Sequence, residues 1–284
     1  MANLIINDDK ILICNPGLNY TLKKDVVYEL KFDNFTGSSY LKEGAALNMP
    51  KVLFEIEEDT KFINRVLKYH NSNVATQTTG VLLTGLKGSG KSMLAKRLAL
   101  KSNLPIIVID KDYKIENINN FFKDLNEEIC IIIDEAEKYD YQYQKRALLS
   151  FLDGVQNTSK KLVILTANDE DQLDSNVMDR CSRIRYIREY DDNAALRFTA
   201  DLCLFKGLSK DETETITKFI TNNVKVKSFD NISSFIDEYI LFKDEYTLDE
   251  ILFEMNIREQ QNSFEDDLDI ESYSDDCDCD CECG

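Results

Sequence analysis

The 284-residue sequence contains no apolar run near the roughly 18 residues needed to cross a bilayer as a helix, so no membrane-spanning segment is expected. Its first residues, Met1 to Asp9, lack the basic region and long apolar stretch of a secretory signal. There is one histidine, His70, which falls in an expected loop with no partner in view and is read as solvated. Positive charge is scarce: 34 Lys and Arg face 52 Asp and Glu, a net charge of −18. Ten of those carboxylates, and no basic residue, fall between Glu265 and Gly284; taking them away leaves −8 for the rest of the chain. Such a body lacks the clustered Lys and Arg of a broad nucleic-acid footprint. A small basic patch built from a few residues of each subunit in an oligomer is the form in which nucleic-acid binding stays open.

What is present suits a globular protein with a real core: 43% hydrophobic and 30% charged residues. The length suggests about two domains. Eight cysteines form two sets. Cys14, Cys130, Cys181 and Cys203 lie in or beside apolar runs and read as reduced core residues. Cys277, Cys279, Cys281 and Cys283 alternate with acids. They could hold a soft metal through thiolates, but four within seven residues without a rigid frame read more simply as part of a flexible interaction tail.

Residues 1–50 read as a small β-rich element. In it Val26, Tyr28, Leu30 and Phe32 alternate at period two, and Asn15-Pro16-Gly17 supplies a turn. Over 51–190 apolar runs alternate with helical patterns. The expected strands Val81–Thr84, Pro105–Ile109, Cys130–Ile133 and Leu162–Thr166 are apolar throughout, as in a parallel sheet covered on both faces. This is an α/β domain. Over 191–257 only helical patterns remain, with capping boxes at Ser209-Lys210-Asp211-Glu212 and Thr247-Leu248-Asp249-Glu250. Residues 258–284 form a polar, acidic tail expected to be disordered.

Gly85-Leu86-Lys87-Gly88-Ser89-Gly90-Lys91-Ser92 fits G-x-x-x-x-G-K-[ST] in full, after a strand and before a helix. Backbone N–H groups of Gly85, Gly88, Ser89 and Gly90 would close around a β-phosphate, Lys91 would reach the β- and γ-oxygens of ATP, and Ser92 would bind Mg2+. Ile131-Ile132-Ile133-Asp134-Glu135 places two acids at the tip of a buried strand. Asp134 would hold Mg2+ through water and Glu135 would deprotonate an attacking water.

From about residue 51 to 257 the chain resembles the AAA+ ATPases, whose fold is a P-loop parallel sheet flanked by helices with a small helical lid. Leu148-Leu149-Ser150-Phe151-Leu152-Asp153-Gly154-Val155 is similar to a string of the AAA clade. Leu162-Val163-Ile164-Leu165-Thr166-Ala167-Asn168 is similar to the sensor-1 strand, which implies that Asn168 polarises the hydrolytic water. Leu173–Met178 resembles the family's Leu-Asp-Pro-Ala-Leu-Leu, with Ser175 and Asn176 in place of Pro and Ala. For the arginine finger, Arg183 fits the AAA clade, whereas Arg180-Cys181 is similar to the finger of clamp-loader subunits; the resemblance implies that one acts in trans. Phe229–Phe235 has no sensor-2 arginine, which suits the AAA clade. The polypeptide-threading loop would fall at Asp110–Lys114, which has Tyr113 but no glycine, and Tyr139, Tyr141 and Tyr143 read as amphipathic surface rather than pore.

The resemblance implies an ATPase requiring ATP and Mg2+, assembled as a homo-oligomer, expected as a hexamer, that remodels a protein partner in the cytoplasm (of the host, if viral). The alternative is a clamp-loader-like DNA replication accessory. A nucleotide-binding protein without turnover fits less well, because Glu135 and Asn168 serve hydrolysis. The short β-rich N-terminus, the minimal module and the Asn/Lys/Ile-rich composition are also similar to ATPases of large tailed bacteriophages.

Overall fold

The computed structural model describes residues 3–7, 9–14, 21–75, 78–109, 113, 117–139, 142–154, 159–168, 180–191 and 194–257. The Asn15-Pro16-Gly17 turn, the Leu173–Met178 string and the acidic cysteine tail lie outside the described residues.

Among the described residues nine strands form one sheet: β1 Asn3–Asn7, β2 Lys10–Cys14, β3 Val27–Asp33, β4 Ser38–Glu43, β5 Thr78–Gly85, β6 Ile106–Ile109, β7 Ile129–Ile133, β8 Lys161–Ala167 and β9 Tyr186–Tyr190. Their order is β1-β2-β4-β3-β6-β7-β8-β5-β9. The strands from β6 to β9 run parallel, and β3 joins them in parallel, with Val27 opposite Ile106. β1, β2 and β4 add antiparallel pairings beyond β3. The N-terminal strands therefore continue the main sheet.

The unbroken apolar strands serve two faces. Ile131, Ile133, Val163 and Leu165 point into one cluster with Phe122 and Phe151, from helices α3 (Ile118–Phe122) and α4 (Gln142–Asp153). Cys130, Ile132, Leu162 and Ile164 point into the other, against α1 (Glu57–His70) and α2 (Lys91–Lys101). Alternate residues of a strand face opposite sides, so a sheet covered on both faces must be apolar at every position.

Five further helices, α5 Ala194–Arg197, α6 Thr199–Phe205, α7 Lys210–Asn223, α8 Phe229–Phe242 and α9 Leu248–Glu254, pack around Ile216, Ile220, Phe235 and Ile236. Both expected capping boxes form, at Ser209 with Glu212 and at Thr247 with Glu250. No described helix is long and apolar enough to cross a membrane.

Two expectations are corrected. His70 is not solvated: it ends α1, is 2% exposed, and its Nδ1 lies 3.0 Å from the Thr79 hydroxyl. The sequence pattern hid this because the partner comes from the neighbouring strand. Cys130 and Cys203 are buried thiols, but Cys181 is exposed, in the turn before Ile184.

Candidate functional site

β5 is buried along almost its whole length and delivers Gly85 to the top of the sheet. The chain then turns through residues 86–90 and enters α2 at Lys91, with positive φ at Gly85, Gly88 and Gly90. Gly88 also needs its missing side chain: a Cβ there would sit 3.1 Å from the Asp230 Cβ of α8. The start of α8 rests on the loop at this point, where the Asp230 N–H donates to the Gly88 carbonyl at 3.0 Å. The first turn of α2 has neither a side-chain cap nor an acid, so its N–H groups remain as an anion site. The Ser89 hydroxyl in the same loop is buried and has no hydrogen-bond partner.

Lys91 is 6% exposed, and its ammonium donates to the carbonyls of Gly85 (2.6 Å) and Leu86 (2.8 Å). Burial lowers its pKa, opposed by the charges of Glu137, Asp134 and Glu135 across the cleft.

β7 is buried at all of its positions and ends at those acids. Asp134 Oδ1 lies 3.4 Å from the Ser92 hydroxyl and 2.5 Å from that of Thr166. Glu135 stands in the left-handed region, at φ 53° and ψ 53°, and its carboxylate is ion-paired with Lys138. Asn168 follows β8 and donates from its backbone N–H (3.1 Å) and side-chain amide (2.7 Å) to Glu137 Oε1. Glu137 Oε2 is buried without a hydrogen-bond partner. Sequence reasoning passed over both Thr166 and Glu137. Each stands two residues from a residue it did single out, and only the folded register of β7 beside β8 gives them a role.

The cleft above this group holds about 790 Å3. Leu53, Phe54, Leu202, Phe205 and Phe229 give it an apolar wall shared by the chain before α1 and helices α6 and α8. The Phe54 ring lies 5.3 Å from that of Phe205 and 6.0 Å from that of Phe229. Beside it Asp59, 5% exposed, accepts from Arg188 (3.0 Å) and from the Tyr190 phenol (3.0 Å), whose pKa is raised chiefly by burial. An apolar, aromatic wall next to an anion site suits a nucleotide base. The apolar string Val52-Leu53-Phe54 just before a helix was the available signal.

The two arginines differ. Arg183 is 8% exposed and bound in a fork to Asp153 of α4, Nε at 2.6 Å and an Nη at 2.8 Å, which holds that carboxyl below its usual range. Arg180 is exposed. The tyrosines divide similarly. Tyr139 is 5% exposed and part of the core, not surface. Tyr143 is 55% exposed, and Tyr141 lies outside the described residues. Tyr113, the one aromatic of the expected threading loop, is 4% exposed and bonded to the Ser39 hydroxyl at 2.9 Å. Its ring is core, and the other residues of that loop lie outside the described ones.

A buried parallel strand feeding a glycine loop and helix, beside an acid-tipped strand, defines a P-loop nucleoside triphosphatase. Residues 81–189 match the model of the ATPase family associated with various cellular activities (AAA). The chain is also similar to the ATP-dependent zinc metalloprotease FtsH of Mycoplasma mobile, at 26% identity over 183 residues, covering 56% of this chain and 24% of that protein. It thus spans about a quarter of the relative's length. The match over residues 81–189 supports an ATPase module of the AAA type that binds ATP.

Proposed function

We propose that the chain hydrolyses ATP with Mg2+ as one subunit of a homo-oligomeric ring, taken as a hexamer, and that the ring remodels a polypeptide partner. The observation that carries the assembly is the place of Arg180. Its turn packs against the lower part of β5: the Arg185 N–H donates to the Gly80 carbonyl at 2.9 Å, and a Cβ on Gly80 would meet the Arg183 carbonyl oxygen at 1.8 Å. From Gly80 to Gly85 the strand rises by about 17 Å. That exceeds an arginine's reach, so Arg180 serves a phosphate in another subunit or none. Arg183, tied to Asp153, holds the turn in place.

Within one subunit, Lys91 exchanges its two carbonyl partners for phosphate oxygens, a stronger charge-assisted pairing. The buried Ser89 hydroxyl and the α2 N–H groups receive the same phosphates. Among the described residues no cluster of three or more His, Cys, Asp or Glu could hold a metal alone. The Ser92 hydroxyl and Asp134 carboxylate are hard oxygen donors, as Mg2+ takes when phosphates complete its shell. Mg2+ there would neutralise charge on the β- and γ-oxygens. Glu135 takes the proton of the attacking water, and Asn168, held by Glu137, orients that water.

Mixing Arg180→Ala with Lys91→Ala protein tests the assembly. Each alone should be inactive, and mixed rings should regain activity at interfaces with one intact loop and one intact finger. No gain, although native mass spectrometry shows mixed oligomers, would refute the reading. Stimulation by a protein partner is expected; stimulation by primed DNA alone would favour the clamp-loader-like alternative.

A further inference from the structure

Thr166 lies near the end of β8, is 1% exposed, and faces the turn that follows β7. Its hydroxyl is 2.5 Å from Asp134 Oδ1 and 2.9 Å from the Glu135 backbone nitrogen. The directions of these bonds are fixed by chemistry. An ionised carboxylate only accepts, and an N–H only donates. The single hydroxyl proton therefore goes to Asp134, and an oxygen lone pair receives the Glu135 N–H. One side chain thereby grips both acids, the first by its carboxylate and the second by its backbone.

Both grips bear on hydrolysis. Asp134 Oδ1 also faces the Ser92 hydroxyl at 3.4 Å, so the Thr166 bond turns the carboxylate toward the metal side of the cleft. Glu135 sits at φ 53°, where residues with a Cβ are uncommon and persist only when their surroundings hold them. The Thr166 hydroxyl is one such hold on its backbone. A valine of the same shape would fill the space but remove this acceptor from the Glu135 N–H and leave Asp134 with the longer Ser92 contact.

We infer that Thr166 is a positioning residue for ATP hydrolysis, acting through Asp134 on the metal and through the Glu135 backbone on the base. This rests on the reading of Asp134 and Glu135 given above. The test compares Thr166→Val, Thr166→Ser and Thr166→Cys with wild type and with Glu135→Gln. Steady-state hydrolysis, ATP affinity with and without Mg2+, and thermal unfolding are measured on the full chain. Thr166→Val should lower kcat by about 10- to 100-fold, the scale expected when reacting groups shift by an ångström. It should leave metal-free ATP binding unchanged and weaken the tightening that Mg2+ brings. Thr166→Ser should restore kcat to near wild type. If Thr166→Val does not fold, the thiol variant, a weak donor of similar size, should still turn over at least several-fold more slowly than Thr166→Ser. Wild-type kcat in Thr166→Val, or equal kcat in the serine and thiol variants, would overturn the inference. Full activity in Glu135→Gln would instead overturn the reading on which it rests.

Discussion

Two buried lysines stand at opposite ends of the same sheet, and both donate to backbone carbonyls. Lys91, above β5, holds Gly85 and Leu86. Lys161, at the start of β8 and fully buried, holds Leu125 (3.0 Å), Glu127 (2.8 Å) and the Ser159 hydroxyl. Burial lowers both pKa values, that of Lys161 to about 8. The difference lies in what surrounds the partners. Lys91 itself lines the cleft, where phosphate oxygens can take the place of its carbonyl partners. The two carbonyls held by Lys161 lie in the loop before β7, away from that cleft, and this loop is also tied to the N-terminal segment by the Leu22 N–H on the Glu127 carboxylate. The same chemistry thus gives an exchangeable grip at the upper end and a permanent one below.

The strongest challenge to that division is Arg180, a lower-end residue proposed to act in catalysis. Arg180→Ala should bind ATP normally yet lose about 10^3-fold or more in kcat, since a cationic finger contributes 10^3–10^5-fold. Arg183→Ala should also lower stability, by about 1–3 kcal/mol, because it leaves Asp153 without its fork. Equal kcat in wild type and Arg180→Ala would return the lower end to a purely structural role. Next in size, Lys91→Ala should lose roughly 2–5 kcal/mol of ATP affinity, read by isothermal titration, with no fall in the ligand-free unfolding midpoint. Lys161→Met should do the reverse, costing about 1–3 kcal/mol of stability in urea while ATP affinity holds, because buried acceptors lose their donor. A Lys161→Met protein as stable as wild type would show that those carbonyls find other partners.

The smallest expected effect belongs to His70. Its pKa is lowered, first by burial and then by Lys160, against the opposing charge of Glu128. The neutral ring is therefore the form that the fold accepts. Its contribution to stability is complete above the unfolded value near 6.5 and is lost as pH falls from there toward the depressed folded value. The slope should stay below about 1.4 kcal/mol per pH unit. Urea midpoints of wild type and His70→Gln should converge below that pH; parallel curves would remove His70 as the cause.

The upper end of the sheet was legible in the sequence because its signals are local. A glycine loop between strand and helix, and acids after an apolar run, are written in consecutive residues, and the structure gathers Lys91, Ser92, Asp134, Glu135 and Asn168 around one cleft. The lower end and the walls were not legible, because their meaning comes from partners distant in the chain. β9 reads as mixed polar sequence because it is the sheet's edge: Ile187 is exposed, while Arg188 and Tyr190 reach Asp59 of α1. Tyr113 read as part of a threading loop and Tyr139 as surface because they stand among charged neighbours, yet both rings fill the core. The apolar wall around Phe54 joins segments about 150 residues apart, beyond any periodicity argument.

β6 is only four residues of Ile and Val, the kind of short, sticky strand that would recruit foreign chains were its outer side bare. β3 occupies that side, from Val27 beside Ile106 to Leu30 beside Ile109. The N-terminal strands consequently act as a built-in guard against aggregation. Trimming the chain back to the ATPase module would remove the partner that keeps β6 from pairing with its own kind.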